Sequence, residues 1–200
     1  ANVAIRNAND GISLIQTAEG AMGRITDMLQ RIRELAVQSA NGTYSDTADR
    51  VNLQKEVAQL QDEITRIGTS TKFNGVPLLD GTFTSVTFQV GPDATDTITA
   101  TPAFNMTSSG LTALAANIST AAGATAAITA IDTDLNAVNT ARSDAGAYQG
   151  RFEAVIQQLQ AAGRLAALVV LGSPYLWEQL QPLLAAEVAA AYCPAQTPLA

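Results

Sequence analysis

Carboxylates are the side chains through which this chain could do chemistry. Three close pairs stand out: Asp62 with Glu63, Asp93 with Asp96, and Asp132 with Asp134. Two carboxyls facing each other across a cleft could serve as acid and nucleophile on a glycosidic bond. Adjacent helical residues point in different directions, however, and Asp93 and Asp96 fall in a turn, so solvated surface or capping is the simpler role. The acidic loops also lack the Asp-x-Asp-x-Asp-Gly spacing with a distal glutamate that calcium would need. Gly20-Ala21-Met22-Gly23 is not followed by Gly-Lys-Ser/Thr, so it is no phosphate loop. Histidine is absent, which removes the commonest general base and metal ligand. The single cysteine, Cys193, sits between Tyr192 and Pro194, away from any base, and cannot form a thiolate cluster or an internal disulfide. The residues therefore predict no catalytic group, no cofactor and no metal.

Charge narrows the partners. Eleven Lys and Arg stand against 18 Asp and Glu, a net charge of −7. Phosphate binding needs clustered cations; here two lysines (Lys55, Lys72) and nine arginines are dispersed, so nucleic acid is not expected. The longest wholly apolar run, Leu165 to Leu171, is far short of the ~20 residues that span a bilayer, and no membrane insertion is expected. With no initiating Met and no signal peptide at Ala1, the chain reads as the interior of a longer gene product.

The elements that would position these side chains are helices. Ile15, Ala18, Met22, Ile25, Leu29, Ile32 and Ala36 alternate steps of three and four, the seam of a helix lying along another helix rather than the broader stripe of a globule. A first helix is expected from about Val3 to Ala40, stopping at Asn41-Gly42, on the order of 55 Å long at 1.5 Å per residue. Gly11, Gly20 and Gly23 inside it cost helix propensity that close approach of a neighbouring backbone would offset, unless the helix breaks at Asp10-Gly11. A second helix, capped by Ser45 or Asp46, is expected to end at Gly68, with seam Val51, Leu53, Val57, Leu60, Ile64 and Ile67. The short loop between them favours an antiparallel hairpin of helices. Period-two patterning over Thr82–Val90 and Thr95–Thr101, with Gly91-Pro92-Asp93 between, predicts a β-hairpin; Asn74-Gly75 and Asp80-Gly81 are turn signals before it. Residues 105–125 are small and polar and read as a weakly specified connection, with a short helix over Leu111–Ile118. A third long helix is expected from about Ala126, with seam Ile128, Ile131, Leu135, Val138, Ala145, Tyr148, Phe152, Val155 and Leu159, Ala141 facing inward beside Arg142. From Ala161 the seam is lost, and one short helix over Glu178–Ala191 plus an irregular tail is expected.

Several blocks, in order, resemble the bacterial flagellin family. Asn7-Ala8-Asn9-Asp10-Gly11-Ile12-Ser13 with Gln16-Thr17-Ala18-Glu19-Gly20-Ala21 is similar to its N-terminal region, and Leu29 through Asn41 to the next block. Phe73-Asn74-Gly75, Leu78-Leu79-Asp80-Gly81 and Phe88-Gln89-Val90-Gly91 resemble the segment leading through its hairpin. Arg142-Ser143-Asp144-Ala145-Gly146-Ala147 with Gln149 and Arg151-Phe152 resembles its C-terminal helix. The likeness covers Ala1 to about Gln160; residues 161–200 have no flagellin counterpart, and the family's two terminal segments are missing.

The resemblance implies a mainly α fold with a small β-hairpin: an elongated bundle of long helices, a rod domain over 1–160, with the hairpin at about 82–101 and the connection 105–125 standing where many flagellins insert outer domains. It implies a structural, secreted subunit of the extracellular filament, assembling with identical copies and served by an export chaperone. A chain lacking both terminal segments is expected to stay monomeric. The resemblance also marks Gln30, Arg31, Glu34, Leu35 and Glu56 as a face for the vertebrate flagellin receptor or a neighbouring subunit, with Arg31 and Leu35 exposed one turn apart as anchors. Without it, Arg31, Arg33 and Glu34 read as an ordinary solvated face, with Asp27 and Glu34 as intrahelical ion partners. A second reading is a flagellin-like surface adhesin whose hairpin and loop face binds polysaccharide or a host surface, although the middle of the chain offers a sugar only Phe83, Phe88 and Phe104, which read as core.

Overall fold

The computed structural model describes residues 2–100 and 104–170, with side chains described as far as 163. The chain divides into two units, 1–156 and 157–200. In the second, the described residues, 157–170, are helical; the expected helix at 178–191 and the tail lie outside the described residues.

Helix α1 spans Asn2–Ala40 without a break at Asp10-Gly11. Every residue of its expected seam is buried, and the same step continues back through Gly11, Ala8 and Ala4. A second line beside it, Leu14, Ala21, Leu35 and Ser39, is buried too. The buried stripe is thus broader than the single seam expected, because α1 has neighbours on two sides. Leu35 belongs to this second line and is 1% exposed. That corrects its reading as an exposed anchor: a residue four after Arg31 on a helix packed on two sides falls on the inward edge.

Helix α2 spans Asp49–Ser70, beginning later and ending later than expected. Ser45 does not cap it; the residue before the helix is Ala48, which makes no side-chain cap bond. Arg50 is buried where Val51 was expected, and Val51 is exposed. The cause is the corner between the helices. Arg50 donates from Nε to the Ser39 carbonyl at 2.7 Å, from Nη2 to the Asn41 carbonyl at 2.8 Å, and from Nη1 to the Tyr44 carbonyl and, at 2.6 Å, to Asp46. One guanidinium so satisfies carbonyls at the end of α1, a job its planar fork suits and a lysine could not do. Gly68 lies inside α2 rather than ending it. A Cβ there would come 2.5 Å from the Met106 carbonyl oxygen, so the glycine admits the returning chain.

Beyond α2, strands β1 (Lys72–Phe73) and β2 (Val76–Pro77) pair across Asn74-Gly75, whose φ angles of 49° and 82° are the positive values a tight two-residue hairpin turn demands. Strands β3 (Val86–Gln89) and β4 (Thr97–Ala100) pair antiparallel, with Phe88 opposite Ile98. The hairpin is shorter than expected, but Phe83 and Val90 beside it are buried.

The connection after the hairpin departs most from expectation. Phe104, Met106, Leu111, Ala113 and Ile118 are buried, and its helical part is a 3₁₀ turn over Thr112–Ala115. Far from weakly specified, it is core. Helix α3 (Ala121–Val170) begins five residues before the expected start at Ala126. Among its residues with described side chains, those buried are Ala124, Ala127, Ile131, Asp134, Val138, Ala141, Ala145 and Phe152, steps of three and four once half-buried Tyr148 is included. Ile128, Leu135 and Val155, expected in the seam, lie half-buried on its flank. Ile131, Val138, Ala141, Ala145 and Phe152 are buried as expected; at two steps Ala127 and Asp134 take the inward place expected of Ile128 and Leu135, because a count of large apolar residues passes over alanine and aspartate. Phe152 sits over Gly11, where a Cβ would lie 2.6 Å from the ring, and meets Phe88 edge-on at 5.0 Å. Gly11 is therefore a notch for an aromatic ring, not for a backbone; among the described residues nothing lies within 4 Å of a Cβ placed at Gly20 or Gly23.

Candidate functional site

Among the described residues, ionic side chains concentrate where α1 faces α2 and α3. Arg31 on α1 donates from Nε to Glu56 Oε1 on α2 at 2.8 Å and from Nη1 to Glu34 Oε2, one turn along, at 3.0 Å. All three stay substantially exposed, with side chains 49%, 45% and 68% accessible for Arg31, Glu56 and Glu34. Gln30 is exposed beside them. The structure brings four of the five expected residues into one exposed stretch, whereas Leu35 points inward. Glu56 raises the Arg31 pKa above its ordinary value chiefly through this hydrogen bond, with Glu34 adding to it. The guanidinium therefore stays cationic, a fixed charge and not a proton carrier.

Arg33 turns the other way. Its Nε and Nη2 meet both carboxylate oxygens of Asp132 on α3, at 2.7 and 3.4 Å. The hydrogen bonds from Arg33 hold the Asp132 carboxyl below the usual carboxylate range, while Asp132 raises Arg33. The ordinary-surface reading of this face is corrected in detail: the partners of Arg31 and Arg33 lie largely on other helices, and Asp27 is not among them. A looser pair joins Arg142 to Glu19 at 3.8 Å. Among the described residues the buried Arg142 Nε finds no hydrogen-bond partner.

The carboxylate pairs do not form a cleft. Asp132 points to Arg33, whereas Asp134, on the same helix, is 2% exposed and turns to the connection. Glu63 binds Arg66 bidentately at 2.7 and 2.6 Å, which lowers its pKa. Asp93 and Asp96 close the hairpin turn on each other's backbone. Among the described residues, no group of three or more acidic or thiol side chains is placed to hold a metal. An open groove of about 460 Å³ lies between Asn7, Asp10 and Leu14 of α1 and the two strand pairs. The rings a sugar would need are already engaged: Phe83 and Phe104 are buried, and Phe88 packs on Phe152.

Sequence reasoning missed Ser39, Arg50, Gln54, Gln61 and Asp134, the polar residues that hold the corner and the connection. The one available signal was Asp134 at a seam step between Ile131 and Val138.

Residues 1–84 match the family described as the bacterial flagellin N-terminal helical region. The chain is 64% identical over 97 residues to the B-type flagellin of Pseudomonas aeruginosa, a match covering 48% of this chain and 20% of that protein. It is 40% identical over 166 residues to the flagellar filament 30.7 kDa core protein of Treponema maltophilum, covering 76% of this chain and 58% of that one. The fold is similar to the crystal structure of Bacillus cereus flagellin, with a TM-score of 0.68 and 36% identity over 82% of this chain and 94% of that one. The chain belongs to the flagellin family. The fold is shared also with FliC from Burkholderia pseudomallei, with a TM-score of 0.63 at 22% identity over 70% of this chain and 99% of that one. Residues 140–200 match a second family, the bacterial glycosyl hydrolase family 3 C-terminal domain; this match takes in the segment for which the sequence showed no flagellin counterpart. The flagellin-like chain thus spans about a fifth of the Pseudomonas relative and just over half of the Treponema one.

The Arg33–Asp132 pair sets an acid dependence. Because the folded carboxyl titrates below its unfolded value of about 3.9, the pair's contribution is present above that pH and is lost as pH falls through the lowered folded value. Carboxyl NMR titration of Asp132 should show a midpoint below 3.9, rising toward it in Arg33→Gln. An equal midpoint in both proteins would show that the pair does not govern Asp132.

Proposed function

We propose that the chain is part of a structural subunit of a bacterial flagellar filament, working outside the cell without catalysis. The observation that carries this reading is the flagellin fold at 36% identity across most of the chain; the name of the Treponema relative, a filament core protein, supports it. The mechanism is packing. Buried seams hold the helices to one another, and the outward faces of α1, α2 and α3 remain for identical neighbours, whose repeated non-closing contacts build a helical array. An export chaperone is a further partner of the whole protein.

The likeness of residues 140–200 to a glycosyl hydrolase domain carries no catalytic proposal. The described acids there, Asp144 and Glu153, are both exposed on α3 and nine residues apart, about 14 Å along a helix, beyond the ~5–9.5 Å that glycosidase carboxyls require. We assign residues 1 to about 160 to the flagellin-like part and 161–200 to a separate segment. Antibodies raised against residues 2–156 and applied to intact source bacteria with gold labelling should decorate the filaments along their length. Bare filaments with label confined to the cell interior would overturn the assignment.

The finer proposal concerns Gln30, Arg31, Glu34 and Glu56. Their exposure on two adjoining helices and the rigid fork of Arg31 support a docking face for the vertebrate flagellin receptor, with Leu35 shaping the helix from beneath rather than touching the partner. Arg31→Ala should weaken receptor binding in surface plasmon resonance by at least about tenfold, the scale of a hot-spot arginine, with unchanged helical circular dichroism. Equal affinity for the two proteins would remove Arg31 from the interface.

A further inference from the structure

The stretch from Ser108 to Ser119 has little regular structure, yet side chains from all three helices hold its backbone. Asp134 on α3 accepts from Thr112 Oγ1 at 3.0 Å and from the Ala113 amide at 2.6 Å. Gln61 on α2 donates to the carbonyls of Ala113 and Ala116, both at 2.9 Å. Gln54 on α2 accepts from the Ile118 amide at 2.6 Å, and Ser39 near the end of α1 donates to the Ile118 carbonyl at 2.6 Å. The two ends of this strap are anchored separately. Upstream, the Met106 amide bonds the Leu79 carbonyl. Downstream, Thr120 accepts from Gly123 through its side chain and from Ala124 through its carbonyl, starting α3.

Asp134 is unlike the other clamps. It occupies a seam position of α3, 2% exposed, where a helical bundle ordinarily takes an apolar residue. Among the described residues no cation pairs with it. A buried carboxylate without a counter-ion is tolerable only while its oxygens receive hydrogen bonds, and the donors it has, Thr112 and Ala113, both belong to the strap. An apolar residue at 134 would suit the bundle at least as well but would leave the strap to the two glutamines, Ser39 and its own buried Leu111, Ala113 and Ile118.

We propose that Asp134 is a latch: a positioning residue that seats 108–119 on the bundle as one cooperative piece, which detaches as a unit when the carboxylate is lost while the three helices remain. This inference does not depend on the filament reading. The test is amide hydrogen exchange by NMR on the full chain carrying Asp134, Asp134→Leu or Asp134→Asn. The informative amides are Ala116, which donates to the Ala113 carbonyl, and Ile118, which donates to Gln54; Asp134 bonds neither of these acceptors, meeting Ala113 only at its amide. In Asp134→Leu they should exchange about 10- to 100-fold faster, the effect of one or two charge-assisted hydrogen bonds, with the amides of Ile25 and Leu29 on α1 unchanged. Asp134→Asn, which keeps one acceptor, should fall between. Unchanged exchange at Ala116 and Ile118 would overturn the latch. So would equal acceleration on α1, global unfolding included, and so would an asparagine variant no better than leucine.

Discussion

Burial of α1 on two adjacent lines is the constraint on which the rest of unit 1–156 depends. Its seam from Ala4 to Ala36 and its second line through Leu14, Ala21, Leu35 and Ser39 leave one helix with partners on two sides. Helices α2 and α3 and the hairpin are each tied to it directly. Arg31 reaches Glu56 of α2, Arg33 reaches Asp132 of α3, Phe152 of α3 fills the space above Gly11, and Asn7 donates to the Gln89 carbonyl of the hairpin at 2.8 Å. Apolar burial drives the association, since exposed ion pairs contribute little on their own. The pairs select how the helices face one another.

Where apolar surface runs out, polar side chains take over the holding. The corner between α1 and α2 is organised by a buried arginine, and the passage into α3 by a buried aspartate, two glutamines and a serine. These are places where the backbone leaves helix or sheet and its amides and carbonyls need partners within the core. Charged residues here serve as fasteners, and acids close in sequence, such as Asp132 and Asp134, are turned toward different neighbours rather than across a cleft.

This division also explains what could be read in advance. The α1 seam is made of Ile, Met and Leu at strict spacing, so it was legible, as were the tight turn at Asn74-Gly75 and the hairpin's position. The α3 stripe is legible at Ile131, Val138, Ala145 and Phe152 and slips by one only at Ile128 and Leu135, where the inward Ala127 and Asp134 carry no large apolar signal. The connection looks loose in sequence because it is small and polar, with Ser, Gly and Asn favouring turns; its order comes from buried Phe104, Met106, Leu111 and Ile118 together with Gln54, Gln61 and Asp134, distant in sequence. For the candidate site, the resemblance picked out residues that do cluster, but it could not tell that Leu35 faces the second line of α1 rather than solvent.

The central claim is that the elements of unit 1–156 hold together through α1. It is tested most directly by placing a charge in the middle of its seam, as Ile25→Asp, and recording the NMR spectrum of the variant. If α1 is the common support, the dispersed signals of Thr87 and Thr99 in the hairpin, of Ala113 in the strap and of Val138 in α3 collapse together. Native shifts persisting in the hairpin or in α3 would contradict the account.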